Sequence, residues 1–158
     1  MPLDDLIDLL AKVPVFDLLG RDALRLMAFA AETRRLRTGE YLFRQGERSD
    51  GGYVVLSGEL ETRREDAESG RIQPKGALIG RTALFLRTKR PVSAIARERS
   101  EVLRISLTLM RRTLEEYPDA ALAIREALAE DLDALAGDLD RARQLLDAVT
   151  PSERRSGG

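Results

Sequence analysis

GEYLFRQGERSDGGYVVLSGEL, Gly39 to Leu60, is the stretch on which the fold is read. Two β-prone runs, Tyr41 to Phe43 and Tyr53 to Leu56, stand among turns marked by Gly39, Gly46, Gly51–Gly52 and Gly58. Short apolar runs punctuated by glycine indicate strands joined by tight turns. The pattern extends from Thr33 to Ser106, with further runs at Leu60 to Thr62, Leu78 to Ile79, Val92 to Ala96 and Val102 to Ile105 and turns at Gly70 and Gly76. Repeated short strands of this kind predict a β-sandwich or jelly roll.

The flanks are helical. Leu3, Leu6, Ile7 and Leu10 share one face, Pro14 ends that segment, and Leu24, Met27, Ala28 and Ala31 form a second stripe. From about Leu107 helix resumes to near Val149, interrupted at Tyr117–Pro118, where proline suits the first turn of a new helix. The fold class is therefore α+β: a jelly roll with short N-terminal helices and a long C-terminal helix. In that last helix Leu128, Leu132, Leu135, Leu139, Ala142, Leu146 and Val149 alternate at four and three residues, a heptad seam expected to form a homodimer. A helix of about 30 residues reaches about 45 Å and would overhang a domain of this size. The expected organisation is one domain over 1–149, with the dimerisation helix at about 118–149 and a polar, disordered tail over 150–158.

Composition narrows the chemistry. The 158 residues can bury roughly 70% of their unfolded surface. Lys and Arg number 26 against 27 Asp and Glu, for a net charge of −1, so no global field draws nucleic acid or anionic lipid. The chain has no Cys and no His, which removes disulfides, His- and Cys-ligated metals, and imidazole acid–base catalysis. Its acidic residues show no loop of ligands at metal spacing, so neither an enzyme nor a metal site is expected. The acidic, Asp-interrupted start lacks a signal peptide's basic and apolar regions, and no apolar run nears the roughly 20 residues of a membrane helix. A cytoplasmic protein without a membrane partner is the expectation.

The chemistry concentrates in GALIGRTALFLRTKRPVSAIA, Gly76 to Ala96. Gly80 precedes a short helix-like turn, Thr82 to Leu86. A basic loop with Arg87, Lys89 and Arg90 follows, then a strand. A glycine opening one helical turn leaves backbone N–H groups without partners, and an arginine on the returning limb can face the same point. Such geometry would cradle an anion, although loops with a glycine and an arginine are common and usually hold only water.

Several segments together resemble the cyclic nucleotide-binding domain of catabolite-activator-type transcription factors, kinase regulatory subunits and cyclic-nucleotide-gated channels. They are Pro14–Phe16, Gly39–Glu40, Arg44–Gln45–Gly46–Glu47, Tyr53–Val54–Val55–Leu56–Ser57–Gly58, Gly76, Ile79–Gly80 and Ala83–Leu84. The resemblance spans roughly Val13 to Leu146 and implies a phosphate-binding cassette containing Gly80, Arg81, Thr82, Ala83, Leu84, Arg90, Pro91 and Ser93. Where that family carries a glutamate that accepts from the ribose 2′-hydroxyl, this chain has Arg81, which has no acceptor atom. Arg90, nine residues beyond Arg81, matches the phosphate-binding arginine. Pro91 stands where relatives offer a second N–H donor, and proline has none. A lost hydrogen bond to a charged group costs about 1.5–3 kcal/mol, or one to two decades of affinity. The base-capping region aligns near Leu132 to Ala136, which has no Ser or Thr hydroxyl.

The expectation is a regulatory sensor module, without enzymatic activity or a resident cofactor, that binds cyclic nucleotide weakly or takes another small anion near Arg81, Arg87, Lys89 and Arg90. The alternative is a ligand-independent homodimeric interaction domain. The chain ends nine residues after Val149 with no reader helix in view, so no sequence-specific nucleic-acid binding is expected and output would pass to a separate downstream protein. The identities of the ligand and of that protein are not legible in the sequence.

Overall fold

A computed structural model describes residues 1–130, which divide between two units, Met1–Ala121 and the chain from Leu122 onward. The first unit holds two four-stranded antiparallel sheets and three helices. Its strands are β1 (Glu32–Leu36), β2 (Tyr41–Phe43), β3 (Gly52–Ser57), β4 (Leu60–Arg63), β5 (Arg71–Gln73), β6 (Leu78–Ile79), β7 (Ser93–Ala96) and β8 (Ser100–Ile105). One sheet runs β1-β8-β3-β6 and the other β2-β7-β4-β5. Apart from the β4–β5 hairpin, neighbours in each sheet are not consecutive in sequence, as in a jelly roll.

Period-two alternation sends alternate side chains of each sheet inward. Leu36, Phe43, Tyr53, Val55, Leu60, Ile79, Ala94 and Val102 meet in one buried cluster. Val54, paired across the sheet with Leu103 on one side and Leu78 on the other, faces the opposite way and is also buried. From Gly52 to Leu56 strand β3 is thus covered on both faces, which explains a continuous apolar run where a half-exposed strand would alternate.

The helices α1 (Leu3–Leu10), α2 (Arg21–Ala30) and α3 (Leu107–Glu116) pack in sequence, α1 on α2 and α2 on α3. Asp4 and Asp5 lie in the first turn of α1, where carboxylates oppose the positive helix end, and Leu6, Ile7 and Leu10 are its buried face. Leu3, expected on that face, is not buried with them but 39% exposed. Ser106 caps α3 by accepting from the Leu109 N–H at 3.0 Å. Tyr117 terminates α3, and the chain is helical again over 118–130, so the expected break at Tyr117–Pro118 is present.

Of the seam, Leu128 lies in this helical stretch, while Leu132, Leu135, Leu139, Ala142 and Leu146 fall outside the described residues, as do the base-capping region and the tail. Among the described residues no helix is long and apolar enough to cross a membrane. Two strands escaped the sequence reading, β1 and β5, and the cassette's turn forms at Arg81–Leu84 rather than Thr82–Leu86.

Candidate functional site

The cassette begins where β6 ends. Gly80 adopts φ 78 and ψ 45, a left-handed conformation that side chains resist, and opens the 3-10 turn Arg81–Leu84. The Ala83 N–H closes this turn on the Gly80 carbonyl at 3.0 Å. Ala83 and Leu84 are buried, while Arg81 and Thr82 face solvent. A Cβ at Gly80 would sit 2.6 Å from Arg90 Nη1, so the absence of a side chain makes room for the guanidinium. Gly80 and Arg90 therefore converge, as the sequence predicts.

A ribbon of backbone hydrogen bonds draws the return limb in. The Gly46 N–H donates to the Arg90 carbonyl at 2.8 Å, Arg90 N–H to Glu47 O at 2.8 Å, and Ser49 N–H to Thr88 O at 2.7 Å. The Thr88 N–H in turn reaches Ser49 Oγ at 3.0 Å. The segment 46–49 thus lies antiparallel to 88–90, ahead of β7.

Arg90 itself is only 3% exposed. Its Nη2 donates to Asp50 Oδ1 at 2.8 Å and to the Gly51 carbonyl at 2.7 Å. The guanidinium carbon lies 4.1 Å from the centre of the Phe43 ring and 5.7 Å from that of Tyr53. Stacking of this kind suits a weakly hydrated planar cation. One donor, Nε, is buried without a partner.

Asp50 is the hub of this arrangement. Besides Arg90 it accepts from the Tyr53 hydroxyl at 2.9 Å and from Arg34 Nη2 at 3.2 Å, with Arg104 Nε at 3.4 Å. Burial alone would raise its carboxyl pKa. The Tyr53 hydroxyl, Arg34, Arg90 and Arg104 together outweigh burial and hold the carboxyl below its ordinary value. Burial, and then the Asp50 carboxylate it donates to, push the Tyr53 phenol well above its ordinary range. Sequence reasoning passed over both residues. Asp50 reads as a turn former before two glycines and Tyr53 as core; their only signal is that a loop aspartate directly precedes a fully buried strand.

The remaining cassette positions are placed as follows. Pro91 is exposed at the start of the limb into β7. Ser93 is buried on β7, where Oγ accepts from the Gln45 N–H at 2.9 Å and donates to Glu65 Oε1. It fastens two loops to the sheet. Arg87 and Lys89, grouped with Arg81 and Arg90 on sequence, do not join Arg90. They line a cleft together with Arg48 and Arg104, bordered by Asp50, Gly51 and Ala83. Two chain-adjacent cations diverge here because Lys89 is paired across a bridge with Arg48 while Arg90 turns inward beneath Gly80.

Comparison with known proteins agrees with this architecture. The profile of the cyclic nucleotide-binding domain matches residues 33–117, more than half of the chain. A solved cyclic nucleotide-binding-like protein from Brucella abortus is 38% identical and superposes with a TM-score of 0.65, covering 71% of this chain and 99% of that one. The N-terminal domain of a transcriptional regulator from Streptomyces coelicolor superposes at a TM-score of 0.73 over 81% of this chain and 94% of its own, at 23% identity, a likeness of fold alone. Among curated sequences, Lysophospholipase NTE1 of Phaeosphaeria nodorum is 30% identical over 115 residues, 70% of this chain but 8% of the relative. This chain thus spans a small fraction of those lysophospholipases. Fold and comparisons together place the chain in the cyclic nucleotide-binding domain family.

Proposed function

We propose that this domain is a regulatory sensor module without catalytic activity of its own, whose cassette no longer grips cyclic nucleotides as its relatives' cassettes do. The observation that carries this reading is the state of Arg90. Both hydrogen bonds of its Nη2 are satisfied internally, by Asp50 and by the Gly51 carbonyl, so a phosphate arriving at Gly80 must share the guanidinium with a resident carboxylate. Two losses compound this. Arg81 supplies no acceptor for a ribose hydroxyl, and Pro91 supplies no second N–H. Each such loss is worth about 1.5–3 kcal/mol, so the pair removes about two to four decades of affinity.

Calorimetric titration with cyclic AMP and cyclic GMP, beside the Arg90→Ala variant, tests this reading. Flat traces at micromolar nucleotide are expected. A saturable micromolar isotherm that vanishes in Arg90→Ala would refute it. A second reading, a ligand-independent homodimeric interaction domain acting on a downstream protein, rests on the seam from Leu128 to Leu146. Its test is sedimentation of Leu139→Asp: monomers support that reading, and an unchanged dimer assigns association to another surface.

A further inference from the structure

A cavity of about 520 Å³ opens between the 48–51 segment, Ala83 of the cassette's turn, the 87–89 loop and the start of α3. Four cations line it: Arg48, Arg87, Lys89 and Arg104. Arg104 is partly balanced by Asp50 and by Glu32, whose Oε2 lies 3.4 Å from Arg104 Nη1. Asp50 also lines the cleft, but its charge is already shared with Arg34 and Arg90. Arg48, Arg87 and Lys89 are exposed and pair with no carboxylate among the described residues.

The disposition of two of these cations is informative. Arg48 and Lys89 are partners in an antiparallel bridge. Residues directly opposite on such a pair have Cβ atoms about 4.5–5.5 Å apart, and like charges in that position destabilise. An anion between them reverses the sign. The first turn of α3 adds to the same field: the Leu109 N–H is taken by Ser106 Oγ, whereas the N–H groups of Leu107 and Thr108, which also line the cleft, have no acceptor within the helix.

We propose that this cleft binds a small ligand bearing a terminal phosphate or pyrophosphate group, with Arg48, Arg87 and Lys89 on its oxygens. Arginine forks match the geometry of phosphate oxygens, lysine adds a point charge, and three uncompensated cations favour a ligand with at least two negative charges. A cyclic phosphodiester, with one charge, is the poorer match. The cleft borders the cassette through Ala83, Asp50 and Gly51, but neither Gly80 nor Arg90 lines it, and the proposal does not depend on whether the cassette retains nucleotide affinity.

Titration of inorganic pyrophosphate into the full chain at low salt tests the proposal. One equivalent is expected to bind, with affinity reduced about tenfold or more in Arg48→Gln/Lys89→Gln, two charge-assisted contacts having been removed. Amide resonances of Ser49, Thr88, Leu107 and Thr108 should shift, and those of Gly80 and Arg81, which do not line the cleft, should not. Without ligand, the double variant should melt about 2 °C higher than the parent because the opposed charges are gone. No binding, equal binding to parent and variant, or shifts confined to Gly80 and Arg81 would each overturn the proposal. The same phosphate chemistry can arrive on a lipid headgroup. Cosedimentation with phosphatidate-containing vesicles that pyrophosphate competes away identifies that source and supports the site; vesicle binding without any pyrophosphate response overturns it.

Discussion

Asp50→Ala removes the only carboxylate paired with the Arg90 guanidinium among the described residues, and its cost can be worked from the surroundings. The Arg90 side chain is 2% exposed, against 40% for Asp50. Breaking a buried pair by deleting one partner costs about 3–5 kcal/mol, because a charge is stranded. Three features here pull toward the lower end. Arg90 Nη2 keeps the Gly51 carbonyl at 2.7 Å, the guanidinium keeps its stacking on Phe43, and water can enter the space vacated by a half-exposed carboxylate. Arg34 and Arg104 are themselves partly exposed and can turn to solvent, so each adds less than about 1 kcal/mol. The expected loss is about 3 kcal/mol. In urea, with a slope of about 2 kcal/mol/M for a chain of this size, the unfolding midpoint falls by about 1.5 M. Arg90→Met in the Asp50→Ala background should recover part of the loss, since no charge is then left buried. A loss under about 0.5 kcal/mol, or strict additivity of the two changes, would refute the claim that Asp50 is the counter-ion on which Arg90 depends.

Gly80→Ala forces a Cβ into a left-handed backbone and to 2.6 Å from Arg90 Nη1, so it should cost at least about 1–2 kcal/mol in thermal or urea unfolding, whereas Gly20→Ala, with open space around it, should cost far less. Ser93→Ala removes the hydroxyl linking the Gln45 N–H to Glu65; a loss of about 1–2 kcal/mol is expected, with faster hydrogen exchange at the Gln45 amide than at the Gly46 amide, which Arg90 O still holds. Stability should fall at both pH extremes. The depressed Asp50 carboxyl contributes fully above the ordinary carboxylate range and is lost as pH drops through its folded value, a limb that Asp50→Asn should flatten. The elevated Tyr53 phenol keeps its proton in the fold while the unfolded chain releases it, so stability declines as pH rises past about 10, and Tyr53→Phe should remove that decline.

The jelly roll was legible because most of its strands are short, apolar and bounded by glycine; Tyr41–Phe43 and Leu78–Ile79 fall on the expected residues. The two missed strands share one cause. β1 reads ETRRL, with only Leu36 buried, and β5 reads RIQ, with two of its three residues exposed. Both lie at sheet edges, as the correctly read β2 and β6 also do, so what hid them is their polar composition: their exposed side chains carry little apolar signal. At the site, Gly80 was readable as a local turn ahead of a basic loop, and the family resemblance singled out Arg90 within that loop. The Asp50 counter-ion was not. It lies 40 residues from Arg90, and only the pairing of 46–49 with 88–90 brings them together. The same pairing explains why four neighbouring cations looked like one cluster on paper: side chains on adjacent residues of a ribbon point to opposite faces.

That ribbon also bears on what affinity measurements at this domain can mean. With the base of the 80–90 loop already zipped to the segment before β3, the closing of the loop was met when the chain folded. A guest at either face enters prearranged walls and orders little backbone on arrival. Differences in binding between variants will therefore report the quality of the contacts rather than the stiffness of the loop, and a gain engineered by rigidifying residues 80–90 should be small.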